Sequence, residues 1–276
     1  MNQSKLIFAG VLTGLTLAAC APKGESTQVV SGDSIIGGTA VQKTDKILES
    51  IVAVYDSVGG QLCTGSLLEN NIVLTAAHCL SPQMYIFFDT ALGRESVRYA
   101  VDRVAVSSYW EERAGETFNT GDIALIHFKG EVPAGYKPAT FLKDKSKLRR
   151  GTEVVLAGFG MTDGKDQKTA GTLHMTKVKI ADPRYSMSEI TVDQRHGTGA
   201  CHGDSGGPAY LEVDGEYYLW GVTSRGVMDK ENNCSQFAAY TSALFYRGWM
   251  ERMTPQILES LTNLELVSLP ATQEAQ

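Results

Sequence analysis

Residues 200–208 read ACHGDSGGP. A serine stands between an aspartate and two glycines, with a histidine and a cysteine just upstream. Alone, the stretch has two readings: a nucleophile held in a shaped turn, or a polar loop in which glycine supplies a tight bend. Two other stretches supply what a serine nucleophile lacks. LTAAHC (74–79) puts His78 at the end of one apolar run, and NTGDIALIHF (119–128) puts Asp122 just before another. A serine hydroxyl is a weak nucleophile at neutral pH and needs a base beside it. Imidazole titrates in the right range for that role. A buried carboxylate then fixes the imidazole tautomer and stabilises the imidazolium. Singly, the three read as a satisfied histidine, a turn aspartate and a loop serine. Together they follow the order His, Asp, Ser, one of the orders by which unrelated triads are told apart.

The surrounding chain has the pattern of a β protein. It has 276 residues, 43% apolar and 20% charged, enough for one large core or two small ones. The net charge is −6 and the pI about 5.4. A mildly acidic chain with no basic run argues against a nucleic-acid protein. From Ile35 onward short apolar or alternating runs recur: SIVAVY, CTGSLL, IVLTAA, MYIFF, RYAVDRVAV, IALIHF, EVVLAGFG, LHMTKVKI, PAYLEV, YYLWGVTS and FAAYTS. Gly, Asn, Asp, Pro and Ser clusters separate them, the signature of a many-stranded sandwich or barrel. Near the end, Phe245, Trp249, Met253, Ile257 and Leu261 recur every four residues, which predicts a helix laid on the β core. Thr254 and Pro255 have the form of an N-cap and a first helical residue, which predicts two helical pieces. Residues 263–276 read as a frayed tail.

The N-terminus differs in kind. After MNQSK comes the uncharged run LIFAGVLTGLTLAA and then Cys20, the layout of a secretory signal over residues 1–19. The ending LAAC resembles a bacterial lipobox, in which Cys20 is lipidated; cleavage by ordinary signal peptidase near Ala21 is the alternative. Residues 20–34, small and polar after the cysteine, read as a propeptide or linker. Either route exports the protein, as a membrane-anchored lipoprotein or a secreted one, and export permits disulfides. With Cys20 set aside, Cys63, Cys79, Cys201 and Cys234 allow two bridges in three connectivities.

With these motifs in place, the chain resembles the chymotrypsin/trypsin-like serine endopeptidases (peptidase family S1). The resemblance runs from IIGGT (35–39) through TAAHC, DIALI and GDSGGP to the helix near Trp249. It implies an all-β fold of two perpendicular six-stranded antiparallel β-barrels with a C-terminal helix over residues 35–262, and an active site between the barrels. It also implies roles. His78 is general base and then acid, Asp122 orients it, and Ser205 forms the acyl-enzyme. The N–H groups of Gly203 and Ser205 form the oxyanion hole. The bridges implied are Cys63–Cys79 and Cys201–Cys234, and the absence of other bridges common in animal members suggests a bacterial branch. IIGG resembles the N-terminus that family zymogens expose on cleavage, so the freed amine of Ile35 would pair with Asp204. The residue before it is Ser34, not Lys or Arg, so activation needs self-processing or an activating protease unlike trypsin. If Cys20 carries lipid, the same cut releases the enzyme from its anchor.

The resemblance also bears on specificity. Gly199 takes the position at the base of the primary specificity pocket where trypsin-like members carry aspartate, and Ala200, Gly226 and Ala238 form its walls. The expected substrates are peptides cut after neutral, small-to-medium residues. TSRG (223–226) places Ser224, Arg225 and Gly226 where an apolar shelf is usual. Arg225 with His202 is then expected either to favour acidic side chains at nearby subsites or to hold its head in water. No zinc-ligand spacing and no acidic calcium loop is recognisable, so neither metal nor cofactor is expected. The expected assembly is a monomer. Two rival readings remain on the sequence: a non-catalytic protease-like binder, and a hydrolase of small esters.

Overall fold

The computed structural model describes residues 35–259 and the backbone of 266–267. The signal, Cys20, the linker, Leu261 and most of the tail therefore lie outside the described residues. Among the described residues no helix is long and apolar enough to cross a membrane.

Twelve principal strands form two closed barrels. The first holds β1 (Ile51–Asp56), β2 (Leu62–Leu67), β3 (Ile72–Thr75), β4 (Met84–Phe88), β5 (Val97–Val106) and β6 (Ala124–Phe128). Its antiparallel order is β5-β4-β1-β2-β3-β6, and β5 closes on β6. The second holds β7 (Glu153–Gly158), β8 (His174–Asp182), β9 (Glu189–Asp193), β10 (Pro208–Val213), β11 (Glu216–Val227) and β12 (Phe237–Ser242). Its order is β8-β9-β12-β11-β10-β7, closed by β7 on β8. Closure leaves neither barrel with an open edge to pair with another chain. Three two-residue strands add to the rims: Thr39–Ala40 on β8, Thr140–Phe141 on β11 and Leu266–Val267 on β5.

The apolar runs became strands because each puts Val, Ile, Leu and aromatic side chains into a barrel interior. Ile51, Val52, Leu74, Ile86, Leu125 and Phe128 are buried in the first barrel; Val154, Leu156, Val192, Ala209 and Trp220 in the second. The larger cluster also takes in Val155, Ala157, Tyr210, Leu219 and Val222, so apolar contact joins the two barrels.

A short helix α1 (Ser108–Arg113) follows β5, and α2 (Arg247–Glu259) ends the described fold. Helix α2 returns from the second barrel to pack on β5 and β6 of the first. Trp249, Met253 and Ile257 are buried, as the four-residue spacing predicts, and so is Met250; Phe245 precedes the helix and is half-buried. The helix runs unbroken through Pro255, where the sequence suggested a second start. Proline removes one N–H, but the carbonyl it would have used belongs to Glu251, an exposed residue. Buried Met253 and Ile257 on either side hold the helix through that point.

Candidate active site

The site is assembled where loops of both barrels meet. β3 leads into a single tight turn, Ala77–Cys79, which carries His78. Asp122 precedes β6, and Ser205 precedes β10. Disulfides join Cys63 to Cys79 and Cys201 to Cys234, so each of these two loops is tied to a neighbour. Closing a loop of 16 residues, as Cys63–Cys79 does, restricts the unfolded chain by about 3 kcal/mol.

Asp122 is buried and holds His78 at two points. Its Oδ1 accepts the His78 backbone N–H at 3.1 Å, and its Oδ2 lies 2.8 Å from His78 Nδ1. The second barrel holds Asp122 in turn. Ser224 Oγ donates to its Oδ2 at 2.6 Å, and Thr241 Oγ1 donates to its backbone carbonyl at 3.0 Å. Burial lowers the His78 pKa, but the hydrogen bond and charge of Asp122 outweigh it and leave the imidazole above its ordinary value. With Nδ1 committed to Asp122, Nε2 is the nitrogen left for chemistry. Trp110 on α1 flanks the ring, 6.3 Å between centroids.

His78, Gly203 and Ser205 line one open cleft of about 680 Å³. The serine loop is fixed from the first barrel by Thr64 on β2. The Thr64 N–H donates to the Ser205 carbonyl at 2.8 Å, and its hydroxyl to the Gly203 carbonyl at 2.9 Å. The amides of Asp204, Gly206 and Gly207 are used by Cys201, Thr223 and Asp204 carbonyls. Those of Gly203 and Ser205 meet no acceptor among the described residues, which leaves two N–H donors beside the hydroxyl. Gly203 has φ +98°, and a Cβ there would come 2.7 Å from Gly160 Cα, so this loop accepts only glycine without moving.

Asp204 points the other way, into the second barrel. Its two oxygens accept the N–H groups of Gly160 and Cys201, each at 2.8 Å. A Cβ at Gly160 would fall 2.5 Å from the Asp204 carboxyl carbon, so that glycine makes room for the group. Burial pushes the Asp204 pKa up to about 7, and the two N–H bonds offset it only in part. Ile35 is fully buried in the core of the same barrel, with φ +57°. A β-branched residue in that region is strained.

A second cavity of about 230 Å³ opens beside Ser205, and Ala200, Gly226 and Ala238 are among the residues that line it. Gly199 does not line it directly. The side chain of buried Gln194 fills the space: a Cβ at Gly199 would lie 2.3 Å from its Cδ. Gln194 is fully committed, donating to the carbonyls of Ala200 and Cys234 and accepting from the Ala200 N–H. Gly199 brings no carboxylate to this pocket, contrary to trypsin-like members, but half-buried Asp229 stands in its wall. Its oxygens accept the N–H groups of Asn233 at 3.3 Å and Cys234 at 2.6 Å.

Arg225 behaves unlike either expectation. Its head neither points into water nor stands free for acidic substrates. Nη1 lies 2.7 Å from Oε1 of buried Glu189, and Nη2 donates to the Thr117 carbonyl at 2.6 Å. Glu189 also accepts from the Asn119 N–H and from the hydroxyls of Thr120 and Ser186. Burial opposes its ionisation, but Arg225 and these donors outweigh it and hold the pKa below the usual carboxylate range. Glu189→Gln is expected to strand the Arg225 charge. Breaking such a pair costs about 3–5 kcal/mol when both partners are buried, and less here because the arginine is partly exposed. A urea melt reads the loss. Peptide profiling should show cleavage near acidic residues rising relative to neutral peptides; an unchanged profile contradicts the assignment. His202 is exposed, lines both cavities and lies 3.2 Å from the Asn232 carbonyl.

The described residues contain two His/Cys groupings, Cys63–His78–Cys79 and Cys201–His202–Cys234. Their sulfurs are joined in disulfides and offer no thiolate to a metal.

A double barrel with a carboxylate-held imidazole and a serine sharing one cleft defines a serine hydrolase. The trypsin family model matches residues 35–250, and the chain belongs to that family. It is a serine endopeptidase. It is 26% identical over 288 residues to a CLIP domain-containing serine protease B4 of Anopheles gambiae, covering 88% of this chain and 79% of the relative. It is 26% identical over 239 residues to a melanization protease 1 of Drosophila melanogaster, covering 71% of this chain and 59% of the relative. Both relatives are insect proteins, and neither lends support to the bacterial branch read from the missing bridges. The two disulfides suit an oxidising, extracellular setting.

Proposed function

We propose that this endopeptidase works through Ser205, His78 and Asp122. His78 Nε2 takes the proton of the Ser205 hydroxyl as Oγ bonds to the scissile carbonyl carbon. The carbonyl electron pair moves to oxygen, and the N–H groups of Gly203 and Ser205 receive the oxyanion. The imidazolium then gives its proton to the leaving amine, and the acyl-enzyme forms. Water repeats the sequence, with His78 again as base. The observation that carries this reading is the doubly held His78–Asp122 pair in the same cleft as Ser205.

Activation by cleavage between Ser34 and Ile35 is part of the proposal. Two facts support it: buried Asp204 has no cation beside it among the described residues, and Ile35 is held in a strained conformation in the same barrel. Cutting the bond frees the Ile35 φ from residue 34 and creates an ammonium for Asp204. The working division is a signal over 1–19, a propeptide over 20–34, a protease domain over 35–262 and a tail over 263–276, with any anchor on Cys20 parted from the domain by the same cut. The activator has a specificity unlike trypsin, because it cuts after serine.

The specificity pocket is proposed to take neutral, small-to-medium residues, because Gln194 closes its base with no net charge and the Ala238 methyl narrows it. Asp229 supports a second reading, cleavage after Lys or Arg. Profiling a peptide library decides between them. We expect Ala, Val, Leu and Met before the cut, with broad preference, since one methylene discriminates by only about 1–3 kcal/mol. A profile dominated by Lys or Arg, and abolished by Asp229→Asn, would establish the second reading instead.

A further inference from the structure

The segment KDKSKLRR (143–150) is a basic run that corrects the sequence expectation of none; the negative net charge conceals it at the level of composition. Lys143, Lys145, Lys147, Arg149 and Arg150 are all exposed, while Leu142 and Leu148 beside them are buried in the second core. The loop is built and held. Asp144 accepts the Ser146 N–H, Arg149 Nε donates to the Ser146 carbonyl, and the backbone is tied at both ends through Leu142 to Leu219 and Gly151 to Ile180. Across from it lies exposed Arg184. Together Lys145, Arg149, Arg150, Asp182 and Arg184 line a groove of about 650 Å³ that shares no residue with the two cavities at Ser205.

None of these six cations forms an ion pair among the described residues, although lysines and arginines elsewhere on the surface do. The carboxylates facing them are Asp144, spent on its own loop, and Asp182, which accepts the Arg184 backbone N–H. Four of the cations, Lys145, Arg149, Arg150 and Arg184, line the groove with Asp182, and Lys143 and Lys147 are exposed on the same segment; this excess of positive charge favours an anion that can pair with several at once. Arginine forks suit sulfate, phosphate and carboxylate groups.

The shape selects among polyanions. A lipid surface is flat and rewards inserted apolar side chains, and no exposed large hydrophobic residue lies in this groove. Single-stranded nucleic acid binds by stacking bases on aromatic rings, and no aromatic side chain lines it. A linear sulfated polysaccharide needs neither: it carries charge along its length and fits a groove. We propose that this groove is an anion-binding surface for a linear sulfated glycan, which would hold the protease to a matrix with its cleft open.

Immobilised heparin tests this. The protein should bind with an affinity that falls linearly with the logarithm of salt. The triple variant Lys145→Glu/Arg149→Glu/Arg150→Glu should bind about 100-fold more weakly at 0.1 M salt, where charges of this kind act over about 10 Å. Its hydrolysis of a short peptide should be unchanged, and its melting temperature should fall only slightly, since the exposed Arg149–Ser146 bond is lost. Neutralising variants, Lys145→Gln and Arg149→Gln, should each lower the salt slope by about one. Equal retention of wild type and triple variant would overturn the proposal. So would equal or tighter binding of phosphatidylserine vesicles or of DNA, which would give the groove to a different partner.

Discussion

Ser205→Ala is expected to lower kcat on a peptide substrate by about a million-fold, and His78→Ala by a similar factor. The double variant should be no worse than either, because the two groups act as one unit: a serine without its base and a base without its serine are equally idle. A small residual rate is expected to survive, from substrate binding and the two N–H donors of the Ser205 loop. Asp122→Asn should cost about 10⁴-fold, since the amide favours the wrong imidazole tautomer. The pH profile carries a further expectation. His78 must be neutral to accept the serine proton, and Asp122 holds its pKa above the ordinary 6.5. Activity should therefore rise with pH along a limb centred above 6.5. Steady-state kinetics on the wild type and the four variants, from pH 5 to 9, measures all of this. Additive losses in the double variant would show that the two residues do not share a step.

The second large effect concerns Ile35 and Asp204. In the intact chain the Asp204 pKa is about 7 against an ordinary 3.8. The folded state therefore holds its proton more tightly than the unfolded state. The stability this gives is full below about pH 4 and is lost as pH rises through 7. A shift of that size corresponds to about 4 kcal/mol of stability lost by alkaline pH. Cleavage before Ile35 supplies an ammonium, which pulls the carboxyl pKa down and removes the loss. The pair has its own upper limit, because the amine loses its proton as pH rises past its raised pKa, above the usual value of about 8. In a Ser205→Ala background, which prevents self-digestion, urea unfolding of intact and Ile35-started protein between pH 4 and 8 compares the two. The curves should diverge as pH rises, with the cleaved form more stable at pH 7.5. Parallel curves would show that Asp204 does not receive the amine.

Much of this architecture is legible in the sequence for a physical reason. Eleven of the twelve principal strands match apolar runs because one face of each must fill a barrel. The strand that escapes notice is β9, EITVD. It begins with a buried glutamate, which breaks the apolar pattern, and Glu189 is tolerated there only because Arg225, Thr120, Ser186 and the Asn119 amide surround it. No local signal announces a pairing across 36 residues. The same reason hides the true state of Arg225: its partner lies on the one strand that composition does not mark. Thr64 is equally silent, since a threonine in a β strand is ordinary until its two bonds to the Ser205 loop are seen. Gln194 and Asp229 lie in polar stretches whose return to the specificity pocket is a property of the closed barrel. The proposed triad of His78, Asp122 and Ser205 can be picked out of the sequence because the chemistry proposed for it demands three particular residue types, and each lies beside an apolar strand.

In the proposed mechanism, His78 makes Ser205 nucleophilic. A fluorophosphonate probe, followed by mass mapping of the labelled peptide from Ile35-started protein, tests it most directly. One adduct is expected, on Ser205, lost in Ser205→Ala and strongly slowed in His78→Ala. Labelling at another residue, or undiminished labelling in His78→Ala, would contradict it.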